Sequence, residues 1–257
     1  MIFRNIIFSA VIVGLVSGII YGLFQQLQLS PILYEAEQYE VKQQAVAGHS
    51  HTGGHHQNLG SHDHHQHDTN AWSPEDGTER IFWTMVANIL TGISFALVML
   101  SLMLLHNLKT NKPKLNAVRG LAWGIAGVLA IYVAPGLMGL QAEVPGTISL
   151  SYSLRQASWV ISVIAALTGI AALYYLPLKY KGLGIIFAVT PYIIFGTSLQ
   201  TEHTFKNTDP AAIAALTDLT QQFVTMTAIG TALFFLILGF SSGYVVKRYI
   251  KLDAQPG

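Results

Sequence analysis

The sequence predicts an all-α polytopic membrane protein of six transmembrane helices, five clear ones plus a short kinked one, with a disordered His-rich extracytoplasmic loop. Three observations carry this reading. Hydrophobic residues make up 51% of the chain and charged residues only 11%, against about 25% charged in a soluble domain. Apolar runs of roughly 20 residues, the length that crosses a ~30 Å hydrocarbon core, recur along the chain. Eight of the ten histidines fall between residues 49 and 68, in the segment HSHTGGHHQNLGSHDHHQHD.

The first span lies near residues 6–28, in a segment covering 1–29. It follows Arg4, exceeds the ~7 to 15 residues of a signal-peptide core and has no A-x-A site after it, so it reads as a retained anchor. Its Gly14, Gly18 and Gly22 make two overlapping G-x-x-x-G steps, a stripe for close helix packing. Residues 30–80 form the long extramembrane loop, in three parts. Residues 32–44 lack Gly and Pro and continue the first helix outward past Pro31. Residues 45–71 are too polar to build a core. Residues 72–80, WSPEDGTER, place Trp72 at the membrane interface, and Ser73, Pro74, Glu75 and Asp76 read as an N-cap followed by a proline and an acidic first turn.

The remainder, 81–257, is a helical membrane bundle with spans near 81–105, 119–140, 156–177, 183–199 and 223–246 and a C-terminal tail. Gly120, Gly124 and Gly127 repeat the packing stripe in the third span. The fifth is the shortest and carries Pro191 in its middle, so it reads as a kinked span or a re-entrant segment, with charge placement favouring a full crossing. No internal repeat is evident.

Charge placement decides the topology. With six crossings and a cytoplasmic N-terminus, the inside loops hold Arg4, Lys109, Lys112, Lys114, Arg119, Lys179, Lys181, Lys247, Arg248 and Lys251, while twelve of the thirteen acidic residues lie outside. That satisfies the positive-inside rule at every inside loop. Both termini are then expected to be cytoplasmic and the histidine loop outside. The net charge of +1 gives no basis for a nucleic-acid partner, and the absence of cysteine excludes disulfides, thiolate metal sites and Fe–S clusters.

The histidine segment is where chemistry concentrates. Imidazole ligates first-row metals strongly and stays largely deprotonated near neutral pH, so His49, His51, His55, His56, His62, His64, His65 and His67, with Asp63 and Asp68, are candidate ligands for a divalent metal ion. A chain without fixed geometry selects by ligand type and intrinsic affinity more than by element. No Asp, Glu, Lys, Arg or His lies well inside a span, which argues against an intramembrane carboxylate relay. The polar atoms left there belong to Gln25, Gln26 and Gln28 in the first span and Asn88 and Thr91 in the second. Asn88 is expected to face the bundle and pair with another helix. His106 and His203 read as interfacial histidines. No G-x-x-x-x-G-K-[ST] sequence, H-E-x-x-H motif or catalytic triad stands out, so the chain is expected to be no enzyme, to hold no permanent cofactor and to leave any ATP hydrolysis to another subunit.

Four segments resemble the CbtA family of predicted cobalt transporter subunits: the Gly-rich first span ending in PILYEAEQYE, the histidine loop directly before W72-S-P-E-D-G-T-E-R80, the span beginning FWTMVANILTGISFAL, and the block RGLAWGIAGVLAIYVAPGL. The resemblance runs through nearly the whole chain. It implies a multi-pass component of cobalt uptake in the bacterial plasma (inner) membrane, linked to cobalamin synthesis and acting with a small single-span, His-containing CbtB-like subunit. It also implies five spans, where charge placement favours six, and Tyr192 follows Pro191 where relatives carry a Pro-His pair. The matching motif positions are Glu35 and Glu37, with Trp72, Pro74, Gly77, Glu79 and Arg80. Glu35 and Glu37 would offer oxygen ligands at the outer mouth, and Arg80 would orient Glu79 or another neighbouring carboxylate.

The expected function is uptake of a divalent transition metal, cobalt in particular, captured by the outer loop. A non-transporting metal sensor or chaperone, and a cobalt or nickel exporter, are the alternatives the residues leave open.

Overall fold

In a computed structural model, residues 2–48, 74–110, 115–199 and 205–249 are described. The histidine segment 49–68, with Trp72 and His203, lies outside them. Within them the chain is all-helical, and six helices are long and apolar enough to cross a membrane. The face holding the end of the first helix and the start of the second is called the loop face below; the opposite one is the terminal face.

Most helices outrun the spans read from hydropathy. The first runs from Ile2 to Gly48 as α1 (Ile2–Phe24), a π turn (Gln25–Leu29) and α2 (Ser30–Gly48), about 70 Å at 1.5 Å per residue. Next come α3 (Thr78–Lys109), α4 (Ala117–Val128), a second π turn (Leu129–Val133) and α5 (Ala134–Leu137). The third span thus ends earlier than its hydropathy suggested, at the turn holding Gly139 with φ +83°. The last helices are α6 (Tyr152–Tyr175), α7 (Lys181–Leu199) and α8 (Pro210–Tyr249). Pro191 is accommodated inside α7.

Close glycine seams hold the bundle, two of them built on glycine stripes. A Cβ on Gly14 would lie 2.3 Å from the Ile93 backbone, and one on Gly92 2.3 Å from the Gly14 carbonyl, so α1 and α3 touch backbone to backbone. The α4–α8 seam is of the same kind, since a Cβ on Gly120 would fall 2.1 Å from the Gly239 carbonyl. Apolar lipid offers helices no hydrophobic drive to associate, so such close dispersion contact is what binds them.

These seams expose a repeat that hydropathy hides. Gly14, Gly18 and Gly22 precede a π turn and then Pro31; Gly120, Gly124 and Gly127 precede a π turn and then Pro135. Both helices run from the terminal face to the loop face. The prolines explain the π turns, because a proline ring collides with the carbonyl four residues back and one surplus residue relieves the clash.

On the loop face, α2 and the first turns of α8 extend helices already longer than a bilayer crossing needs and bury Leu29, Ile32, Ala36, Leu216, Leu219 and Phe223 together with Val144 and Phe205. An isolated antiparallel bridge between Thr147 and Phe205 closes this cap, and Arg155 ties Glu143 and the Gln141 carbonyl beneath it. The α6–α7 pair packs through Gly169 and Gly184, and Tyr192 donates to the Ala134 carbonyl at 2.6 Å.

Candidate functional site

The first π turn places Gln25 and Gln26 on the flank of the helix that faces α3. There they line a cavity of about 80 Å³ with Ser30, Leu33, Tyr34, Arg80 and Thr84, room for a few water molecules. Ser30 donates to Gln26 Oε1 at 3.1 Å, and Thr84 donates to the Arg80 carbonyl at 2.7 Å. Each hydroxyl thereby commits its proton and keeps lone pairs as acceptors. The cavity wall mixes polar groups with the apolar Leu33 and the Tyr34 ring and, apart from Arg80, is uncharged.

Asn88 holds one of the lining side chains, Gln25. Its Nδ2 donates to Gln25 Oε1 at 2.7 Å, so the amide expected to find an interhelical partner finds it on the π turn. Below this bond the α1–α3 seam begins, with Met85 against Gly22. Gln28 and Thr91 are exposed and take no part.

The mouth is an ion pair. Arg80 Nη2 lies 2.7 Å from Glu37 Oε1, Nη1 lies 3.2 Å from Oε2, and Nη1 also reaches Asp76 at 3.1 Å. The guanidinium sits 4.9 Å from the Tyr34 ring centre, a cation–π arrangement. Both partners of the pair are about a third exposed, Arg80 at 31% and Glu37 at 35%.

The segment Pro74–Arg80 exists locally to deliver that arginine. Helix α3 does not start at Pro74, as the S-P-E-D pattern suggested, but at Thr78, with Gly77 as N-cap at φ +99°. That is a backbone conformation glycine adopts without a steric penalty. Glu79 accepts from the Glu75 backbone N–H at 3.2 Å and steadies the turn. Arg80 does not pair with Glu79. It reaches across to a carboxylate 43 residues away.

Glu35 and Glu37 are separated rather than gathered. Two residues on a helix stand roughly 200° apart, and Glu35 is exposed while Glu37 turns toward α3. One ion therefore cannot bridge them without unwinding the helix. Among the described residues, no three His, Asp or Glu side chains converge as a metal site. The sequence pointed to Gln25, Gln26 and Asn88 one by one but gave no sign of Tyr34 and Thr84 and only a local one of Ser30. The signal for Ser30 was its place beside Pro31 in an otherwise apolar helix, where a π turn is favoured.

Replacing Asn88 with leucine tests the tie. An interhelical hydrogen bond in a bilayer contributes about 0.6 to 2 kcal/mol, so Asn88→Leu is expected to lower stability by about 1 kcal/mol in thermal unfolding in detergent. An unchanged midpoint would mean that the bond to Gln25 adds nothing to the α1–α3 contact.

The sequence model of the family described as "Probable cobalt transporter subunit (CbtA)" matches residues 3–247. No curated protein and no solved structure matches the chain.

Proposed function

Because the chain belongs to the CbtA family of probable cobalt transporter subunits, we propose that it carries Co²⁺ inward across the bacterial plasma membrane, with the loop face outside and both termini in the cytoplasm. The histidine segment captures the ion from the medium. Glu37 then receives it, and the cavity of Gln25, Gln26, Ser30 and Thr84 holds it, partly hydrated, by neutral oxygens. Glu35, exposed on the other side of α2, serves as a peripheral acceptor for ions leaving the imidazoles. The partner implied by the word subunit is a small single-span, His-containing protein of the CbtB type.

One observation supports this assignment above the others: the stems of the histidine segment, α2 and the start of α3, are joined by the Glu37–Arg80 pair over a polar cavity. Captured metal is thereby delivered beside a carboxylate whose present partner is a cation. A divalent ion and a guanidinium compete for such a group, since both are attracted to the same two oxygens.

The test is radioactive cobalt uptake by cells producing this chain, with and without a CbtB-type partner, comparing intact protein with one lacking residues 49–68. Chain-dependent uptake that weakens in affinity but persists without the segment supports the transporter. Metal binding without any uptake points to a sensor or chaperone, and a fall in cellular cobalt points to an exporter.

A further inference from the structure

The second π turn, like the first, stands beside a cavity walled by amides and hydroxyls. Tyr132, within that turn, donates to the Val224 carbonyl of α8 at 2.8 Å. Around that contact Thr217, Thr220, Gln221, Val224 and Thr225 line a cavity of about 270 Å³, and Gln141 joins them from the loop after α5. The five α8 positions follow the i, i+3, i+4, i+7, i+8 pattern that gathers side chains on one helix face. Leu216, Leu219 and Phe223 occupy another face, packed with Ile32 and Ala36 of α2. Among the described residues no charged side chain lines the cavity, and Val224 is its one apolar member.

The wall is biased toward acceptors. Thr217, Thr220 and Thr225 donate their hydroxyl protons to the Ile213, Leu216 and Gln221 carbonyls at 2.7, 2.7 and 2.8 Å, so each keeps only lone pairs to offer. The amides of Gln141 and Gln221 add one carbonyl oxygen each. Such oxygens accept hydrogen bonds from water polarised by a cation, and the site lacks the carboxylate or imidazole that would displace that water from a divalent ion. Size agrees with this chemistry. Six waters at ~30 Å³ each occupy roughly 180 Å³, which fits within 270 Å³ but not within the 80 Å³ of the cavity at the first π turn. Thr220 is buried while Thr217, Gln221 and Thr225 are exposed, so the cavity is open on one side.

We propose that this cavity is an outer-sphere site for a hexahydrated divalent cation, held through its own water ligands by the threonine and glutamine oxygens. The site rests on the transporter reading for its place beside a metal route but not for its chemistry. Recognition through water does not tell one divalent metal from another. Mg²⁺, which dehydrates reluctantly, therefore competes with Co²⁺ here, and discrimination is left to the imidazoles and Glu37.

Hexaamminecobalt(III) is the probe, because its ammonia ligands do not exchange and it binds only through its outer sphere. Imidazoles and carboxylates cannot enter its shell. Equilibrium dialysis against the full-length chain in phosphatidylcholine nanodiscs at 0.15 M salt, where exposed charges are screened beyond ~8 Å, is expected to give one bound complex per chain. That complex should be displaced by Mg²⁺ and retained when residues 49–68 are deleted. Thr217→Val/Thr220→Val/Thr225→Val keeps the outline of each side chain, removes three acceptors and should weaken binding at least tenfold. Gln221→Leu, at an exposed position, should weaken it at least threefold and serves where the triple variant fails to fold. Equal binding by the parent and by these variants, or no complex bound by the parent, overturns the site. A parent chain that binds the complex yet moves no cobalt sustains the site and defeats the transporter reading, so the two failures are distinct.

Discussion

Gly239→Val is expected to prevent α4 and α8 from closing. A Cβ at Gly239 would lie 2.4 Å from the Gly120 carbonyl oxygen, 2.7 Å from the Gly124 nitrogen and 2.9 Å from its Cα. All three are backbone atoms, so no side chain can turn aside to make room. The helices must separate, and overpacking of this kind costs about 3 kcal/mol or more. Gly182→Ala is the control, since nothing lies within 4 Å of a Cβ placed there. Thermal unfolding in detergent should show a large drop for the first and none for the second. Equal midpoints would mean that the seam is not held by direct backbone contact.

The second large effect concerns the mouth. Glu37→Gln removes the carboxylate while leaving an amide of the same shape, and uptake at low cobalt is expected to fall at least tenfold. Arg80→Ala acts in the opposite sense on binding: the freed carboxylate should hold cobalt more tightly, lowering the half-saturating concentration, while slower release lowers the maximal rate. Because the pair is about a third exposed, its own contribution to stability is about 1 kcal/mol or less. The charge swap Glu37→Arg/Arg80→Glu distinguishes a gate from a brace. A brace would recover both stability and uptake on swapping; a metal-receiving carboxylate moved from α2 to α3 should recover stability alone. Full recovery of uptake would remove Glu37 from the route.

Hydropathy and charge were enough to find the six helices, because a bilayer requires long apolar runs and little else. The glycine stripes were legible as packing surfaces for the same reason. Their recurrence before a π turn and a proline was not, since the two stretches share only glycines and a proline while the side chains between them differ. Asn88 was recognisable as an amide in need of a partner, but Gln25 lies 63 residues away, and no periodicity within either helix connects the two. The start of α3 misled because Ser-Pro-Glu-Asp imitates a helix N-terminus, whereas the backbone sign that decides it belongs to Gly77. The route of Arg80 to Glu37 was hidden likewise. A sequence shows which carboxylates are near along the chain, and this partner is near only because α2 continues unbroken past the membrane.

That continuity runs through the π turn at Gln25–Leu29, and it gives the first helix a torsional offset. A π turn carries one residue more than the regular path needs. With one residue fewer there, and α1 still clamped to α3 by its glycines, everything beyond would be turned by on the order of 100°, the advance of a single residue. Such a rotation would carry Glu37 away from Arg80 and bring a different flank of α2 to the cavity. A single surplus residue at the membrane surface thus sets the orientation of more than 25 Å of projecting helix.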